Sequence, residues 1–395
     1  MRRFASLRDF PRGVWVLLGG VLVLRTGAMV APFLTLFLTE GRGLDPATAG
    51  LVVSAYGAGA VLGSIAGGLL ADRFGRRPTM LLALTGAGCL FPLGPLVDGQ
   101  AALMALLFAT GFMIDIYRPA AMAAMADMVP EERRVGVYAL NYWVANIGSA
   151  LAPVLGGLLA AFGFGLLFVA NGAAILSYAL AVLLLFREPA GLVRAEAGTM
   201  ERVSAWSTLR DPVVWTVSGG SVLTSILFVQ SYAMLPLAMR ADGLGTVAYG
   251  MAVGLNAVTV VLFSLPVGQW VARFEPRRVL AAGALLMGFG MALTGWAEGM
   301  VAYCATVVLW SLGEIVIAPV APALLAAAAP PGRRALYQGT LTASWGWSSL
   351  LGPAAGGALY AADPALLWAA CAGLGIAAAV VFTLTPRRKA AVAVA

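Results

Sequence analysis

The stretch 67-GGLLADRFGRRP-78 decides how this chain is read. It joins two apolar runs, near 47–71 and 78–97. Each run is long enough to cross a bilayer, which takes roughly 20 apolar residues. A turn that only marks the positive side of a membrane needs cations at the headgroup level. Arg73, Arg76 and Arg77 supply them, but such a turn requires neither Asp72 nor Gly75. Gly68 reads as a site where two helix ends approach closely, and Gly75 as a residue that tolerates the φ > 0 of a tight turn. Asp72 reads as a cap or a partner for a neighbouring helix end.

Outward from this loop the whole chain divides in the same way. Twelve apolar runs lie near 13–39, 47–71, 78–97, 101–127, 136–160, 165–186, 213–239, 246–271, 277–296, 300–328, 335–360 and 364–385. Of 395 residues, 61% are hydrophobic and only 11% are charged. Soluble domains carry about 25% charged residues, so a soluble globular enzyme is excluded. The first run is longer than a signal-peptide core and reads as a retained helix. The one long polar stretch, 187–212, separates six runs from six; within it MERVSAWSTLR reads either as a surface helix or as a flexible linker.

Arginine placement predicts orientation. Of 25 basic residues, 21 fall in the termini, the linker and alternate loops, against Arg42 and Arg240 on the other side. That bias puts both termini in the cytoplasm and accounts for the net charge of +7 through lipid headgroups, without nucleic acid. There is no His. A Ser-His-Asp triad, an imidazole metal site and a His proton relay are all excluded, and proton handling must rest on carboxylates. Cys89, Cys304 and Cys371 each sit in an apolar run and read as small buried hydrophobes rather than metal ligands. No GxxxxGK[ST] phosphate loop is present, so direct ATP drive has no support.

The two halves repeat at an offset of 200 residues. Gly68, Arg73 and Phe74 match Gly268, Arg273 and Phe274; Pro119 matches Pro319; Pro130, Arg133 and Arg134 match Pro330, Arg333 and Arg334. Pro153, Gly156 and Gly157 match Pro353, Gly356 and Gly357. Four blocks at one offset indicate a duplicated six-helix unit, an arrangement that transporters use. The expected fold is all-α and membrane-spanning: twelve transmembrane helices in two pseudo-symmetric six-helix halves, 1–186 and 213–395, joined by the cytoplasmic linker 187–212.

At this point the resemblance to a family is specific. Gly68, Asp72, Arg73, Gly75, Arg76 and Arg77 resemble the G-x-x-x-D-R-x-G-R-R/K signature loop of the major facilitator superfamily. Gly148, Pro153, Gly156 and Gly157 in the fifth run are similar to the antiporter motif G-x-x-x-G-P-x-x-G-G, with Ala152 departing from it. Gly352 and Pro353 in the eleventh run echo that motif. The resemblance implies a secondary transporter of the bacterial inner membrane, not an enzyme, working by alternating access and without a cofactor beyond the proton gradient. The fifth-run motif points toward the drug:proton antiporter branch, hence multidrug efflux of hydrophobic or amphipathic molecules by a monomer. A sugar, amino-acid, peptide or other metabolite carrier, in either direction, stays open. In the family the signature loop latches the two halves; Gly68, Asp72, Arg73, Gly75, Arg76 and Asp127 are the candidate latch here, with Asp127 pairing Arg73 or Arg76. The small residues around Gly148 and Pro153, and around Gly352 and Pro353, read as helix-packing motifs.

Charges inside spans are the most informative single residues. Arg25, Asp115, Arg118 and Glu314 lie well inside apolar runs. Unpaired, the four would cost on the order of 10–14 kcal/mol. At about 1.5 Å per residue they share one layer, about 14–20 Å from the arginine-rich side. The resemblance places spans one, four, seven and ten around a central cavity, so these residues are the candidate proton-coupling set. Arg25 with Asp115 is the expected ion pair, with Arg118 one turn away on the same face. Asp115 reads either as the titrating group or as a fixed partner of an arginine, and Arg25 alternatively as a receptor for an anionic substrate group. Tyr117, Asn141, Asn146, Gln230, Tyr232, Asn256 and Trp345 join Arg25 as candidate substrate contacts, each equally readable as helix–helix glue. The expected partners are a small-molecule substrate, protons and membrane lipid; no metal site is expected.

Overall fold

In lipid no water is at hand for backbone amides and carbonyls, so each apolar run must bond them internally, and a helix does so within one segment. A computed structural model describes residues 10–187, 210–330 and 334–386. The expected surface helix of the linker falls outside the described residues, as do Arg2, Arg3, Arg8 and Lys389.

The helices of the first half are α1 (Arg12–Thr26), α2 (Val30–Leu36, running into a π-helical turn at Phe37–Gly41), α3 (Pro46–Phe74), α4 (Arg76–Leu90), α5 (Gln100–Asp127), α6 (Glu131–Ala160) and α7 (Phe164–Leu185). Those of the second half are α8 (Pro212–Ala233), α9 (Leu235–Ala241), α10 (Thr246–Val271), α11 (Pro276–Ala292), α12 (Gly299–Ile317), α13 (Val320–Ala328), α14 (Arg334–Ala362) and α15 (Pro364–Thr383). Among the described residues, 11 segments are long and apolar enough to cross a membrane. The eleventh apolar run forms α14, which has the length, 29 residues, but is not one of them. Gln338, Thr340, Thr342, Ser344 and Ser348 break up its apolar character.

The repeat extends to backbone detail. Helices start at 12 and 212, 46 and 246, 76 and 276, and 164 and 364. Gly43 and Gly243 both take positive φ, as do Gly99 and Gly299. Arg77 Nη2 donates to the Leu183 carbonyl at 2.7 Å, and Arg277 Nη1 to the Thr383 carbonyl at 3.5 Å, over the same sequence separation of 106. Three runs expected as single helices are broken. The first breaks at 27–29, where Asn171 Oδ1 accepts from the Val30 amide at 3.3 Å. The seventh breaks at Met234, and the tenth at Ala318–Pro319. Pro319 ends its helix, whereas its counterpart Pro119 stays inside α5.

The chain divides into two compact units, 1–31 with 55–200 and 32–54 with 201–395. In the first, helices pack through glycine. A Cβ at Gly59, Gly63 or Gly67 of α3 would strike the carbonyl oxygen of Phe108, Phe112 or Ile116 of α5. Gly111 of α5 faces the Tyr56 carbonyl in the same way. With no hydrophobic drive between helices in lipid, this close backbone contact is what holds them. Gly68, expected to make such an approach, does not: among the described residues a Cβ there meets nothing. One residue decides the face, and Gly67 is the residue turned inward. A Cβ at Gly148 would lie 2.6 Å from Arg25 Cβ.

In the second unit the end of the first span and the start of the second join the second-half helices. Gly50 meets the Pro353 carbonyl, Gly357 meets the Pro46 carbonyl, and Ser54 Oγ accepts from the Ala354 amide at 3.1 Å. Arg240 Nε pairs with Glu40 Oε1 at 2.6 Å, and Phe33 meets Tyr249 edge-on at 5.2 Å. The Glu40–Arg240 pair is exposed, so Glu40→Gln is expected to change stability by less than about 1 kcal/mol. Melting in detergent checks this.

Three helices start on Asp-Pro, with the acid as cap and proline at the first helical position. Asp45 Oδ1 accepts from the Ala47 and Thr48 amides at 3.0 and 3.1 Å, and Oδ2 from the Thr48 hydroxyl at 2.6 Å. Thr48 holds the Asp45 carboxyl below the ordinary carboxylate range, so this cap is complete at neutral pH and is lost only as pH falls through that lowered range. Asp363 Oδ1 caps the Ala365 amide at 2.8 Å. Asp211 caps the Val213 amide at 2.9 Å and accepts from the buried Tyr337 hydroxyl at 2.7 Å. Asp211→Ala removes both bonds and is expected to cost about 2–4 kcal/mol. Asp211→Asn keeps the cap and is expected to cost less, as thermal melting will show.

The outer surface is apolar, with Leu69, Leu184 and Val301 all widely exposed, as a lipid-facing surface allows. Cys89 is exposed on it, contrary to its reading as a buried hydrophobe, while Cys371 is buried. A residue on the lipid-facing side of a span is apolar for the same reason as one in the core, so composition does not separate the two.

Candidate functional site

In the first unit, α5 carries Asp115 and Arg118 one turn apart, and Arg118 Nη2 lies 3.3 Å from Asp115 Oδ1. Asp115 is the more buried of the two, with 15% of its side chain exposed against 41% for Arg118. The expected Arg25–Asp115 ion pair is replaced by this one. An (i, i+3) partner on the same helix needs no tertiary placement, which favours it over one from another span. Arg25 acts on Asp115 through its field, and among the described residues its buried Nε has no hydrogen-bond partner. It occupies the last turn of α1, where the helix C-terminus attracts a cation. Two guanidiniums and one carboxylate therefore share this part of the first unit.

Tyr117, between them in sequence, is 4% exposed and meets Tyr178 edge-on at 6.0 Å. Its ring is buried in packing against Tyr178. Asn141 Nδ2 lies 3.4 Å from Met122 Sδ, and among the described residues its buried Oδ1 has no partner. Asn146 donates to the Tyr142 carbonyl of its own helix at 2.8 Å.

In the second unit, Glu314 sits near the end of α12, just before the break at Pro319. Asn256 Nδ2 of α10 donates to Glu314 Oε2 at 2.9 Å and to Ser311 Oγ at 2.8 Å. Beside this triad stands an aromatic wall. The Phe228 ring lies 5.8 Å from Trp310, 5.4 Å from Trp345 and 6.5 Å from Tyr232. Trp310 is one helical turn before Glu314, and among the described residues its buried Nε1 has no partner. Tyr232 also bonds Ser349. Gln230 is corrected: it is 2% exposed and spends its Nε2 on the Ile226 and Gly352 carbonyls at 3.2 and 3.1 Å. Its work is to join α8 to α14 at the small residue Gly352. Ser311, Phe228 and Trp310 were not singled out in the sequence, although the four-residue steps 228–232 and 310–314 were a signal for them.

The signature loop is built around Gly75, whose φ of 94° lets α3 end and α4 begin in a single residue. Arg76 Nη1 donates to the Ala71 carbonyl at 2.8 Å, and its Nε lies 3.3 Å from Asp127 Oδ2. Of the two partners expected for Asp127, Arg76 is therefore the one it meets. Arg73 lies over the Phe74 ring at 5.3 Å. The Asp72 side chain lies outside the described residues. Pro153, Gly156 and Gly157 are buried in α6, and Gly352 packs on Val229.

Broken helices, charges within spans and a duplicated six-helix plan are transporter features, and the sequence profile of the Major Facilitator Superfamily matches residues 16–255 and 232–394. The chain belongs to the major facilitator superfamily. As a member it is a multi-pass secondary transporter of small molecules and not an enzyme. It is 26% identical to the uncharacterized MFS-type transporter YqjV of Bacillus subtilis, over 87% of this chain and 85% of that one. It is 25% identical to a Na(+), Li(+), K(+)/H(+) antiporter of Planococcus maritimus, over 84% and 86%. It is also 25% identical to the multidrug resistance protein MdtH of Aeromonas hydrophila, over 88% and 87%. Its fold is that of the nucleoside transporter NupG, with a TM-score of 0.79 at 15% identity, covering 94% of this chain and all of that one.

Proposed function

We propose that this transporter is a proton-coupled exporter of hydrophobic or amphipathic small molecules, working by alternating access. The single observation that carries the reading is Glu314, a carboxylate within a span whose hydrogen-bonding partner is the neutral Asn256. An ionised group there costs roughly 2.5–3.5 kcal/mol unless it takes up a proton or a cation. With no His in the chain, Glu314 and the Arg118-bound Asp115 are the groups that exchange protons, tuned by Arg25. Phe228 and Trp345, backed by the buried Trp310, supply the apolar surface an amphipathic substrate needs. The relatives named as an H(+) antiporter and as a multidrug resistance protein support the same reading. In it α14 is the eleventh of twelve spans, both termini are cytoplasmic, and a monomer sits in the inner membrane of a bacterium. The Arg76–Asp127 pair belongs to the latch, and the contacts of 32–54 open and close with the cycle.

Exchange of a small inorganic cation for protons is the second reading. It is favoured by the oxygen-bearing set Asn256, Ser311 and Glu314 and by the Planococcus relative. Proteoliposomes with an imposed pH gradient separate the two. Uphill movement of a lipophilic dye supports the exporter, and a sodium- or lithium-driven pH change without dye movement supports the exchanger. Retention of gradient-driven transport by both Asp115→Asn and Glu314→Gln overturns the coupling assignment. Asn256→Ala removes a hydrogen bond to a charged group, worth about 1.5–3 kcal/mol, so initial transport rates are expected to fall about 10- to 100-fold.

A further inference from the structure

The second-half copy of the signature loop differs from the first in its charges. In the first half Arg76 is bound to Asp127 and the Ala71 carbonyl, and Arg77 to the Leu183 carbonyl. At an offset of 200 the acids Asp72 and Asp127 become Ala272 and Ala327 and Arg76 becomes Pro276, while Arg73 and Arg77 remain as Arg273 and Arg277 and Arg278 stands where the first half has Pro78. Glu275 is the acid nearest in sequence to them, and it is already committed, to Arg277 Nε at 2.6 Å and Arg278 Nε at 3.0 Å. Arg277 also reaches the Thr383 carbonyl. Arg278 keeps 74% of its side chain exposed, and among the described residues the exposed Arg273 has no ion pair. Within 273–278 three arginines stand against one glutamate, an excess of two positive charges in the loop, and of these four residues Glu275 and Arg278 line the cleft beneath it.

Beneath the rim lies an apolar cleft of about 500 Å³ at the junction of α10, α11 and α12. Trp270, Phe274, Ala282, Leu286 and Val316 line it, and Arg278 stands at its edge. Trp270 and Phe274 lie 5.0 Å apart and are more than half exposed, the placement that aromatic residues take at a membrane interface. A soluble anion satisfies the rim and leaves the cleft empty; a neutral lipid fills the cleft and leaves the arginines unanswered. An anionic amphiphile answers both, and basic pockets between transmembrane helices hold such headgroups.

We infer that this cleft is a selective site for one anionic phospholipid, its phosphate on Arg273 and Arg278 and one acyl chain against Trp270, Phe274 and Val316. The test is lipid titration of the purified full-length protein in detergent, read by native mass spectrometry, with phosphatidylglycerol and phosphatidylcholine of identical chains. Phosphatidylglycerol is expected to bind about tenfold more tightly, since each arginine near an anionic surface contributes. Arg273→Gln with Arg278→Gln is expected to erase that preference, and Ala282→Trp, which fills the cleft, to weaken both lipids about equally. Lipid-free melting curves establish that the variants are folded. Equal retention of the two lipids by the unaltered protein overturns the site, as does a preference that survives loss of both arginines. Undiminished binding to Ala282→Trp overturns the placement of the chain.

Discussion

Asp115→Leu is expected to destabilise the transporter, and adding Arg118→Leu is expected to restore its stability without restoring transport. Removing Asp115 leaves Arg118 without its partner 3.3 Å away and leaves Arg25 facing a second uncompensated cation. Breaking a fully buried pair costs about 3–5 kcal/mol. Arg118 is 41% exposed, so solvent screening reduces the expected cost to about 2 kcal/mol. The double variant removes the orphaned charge, and leucine is at home in a span. Melting in detergent reads the first effect, and dye flux in proteoliposomes the second. If the double variant melts no higher than Asp115→Leu, the pair is not what holds Asp115 in place. If it still pumps against a gradient, Asp115 has no part in coupling.

Gly63→Ala is expected to be far more damaging than Gly68→Ala, although the two glycines are five residues apart on one helix. At Gly63 the added Cβ meets the Phe112 carbonyl and backbone of α5, which cannot rotate away as a side chain can. Helix α3 must move bodily off α5, and the contacts of Gly59, Gly67 and Gly111 go with it. Overpacking of this kind costs about 3 kcal/mol or more. At Gly68 the new methyl meets open space, and the expected change is within about 0.5 kcal/mol. Comparable melting temperatures for the two variants would show that α3 and α5 are not held by this backbone contact. The comparison also separates two uses of glycine that look the same in the signature loop. Gly75 is required for its positive φ, and Gly67 for the distance between helices.

The charged side chains inside spans were legible without coordinates, because charge in an apolar run is costly wherever the run folds. Their partners were legible only in part. Arg118 lies one turn from Asp115 on the same helix, and the pair forms there. The pair expected between Arg25 and Asp115 depended on how two spans face each other, and that is where the expectation failed. Asn256 was visible as a polar residue in a span, but nothing in its spacing tied it to Glu314, 58 residues away. Tyr117 and Gln230 looked like cavity residues because polarity in a span was the only cue. Which face of the helix a side chain takes made one a packing partner of Tyr178 and the other a bond between α8 and α14.

Sequence alone determined that the chain lives in lipid, that a six-helix unit is duplicated at an offset of 200, and that carboxylates carry any proton. These follow from composition, period and the absence of His, which act residue by residue. Only the tertiary structure decided that three spans break, two of them near their inner charges, that Asp127 meets Arg76, and that Glu314 is held by Asn256 and backed by an aromatic wall. It also placed 32–54 with the second-half helices. The reason is physical. Insertion energy depends on how apolar a segment is, whereas pairing inside the bilayer depends on helix rotation and close packing, and those are set by neighbours hundreds of residues away.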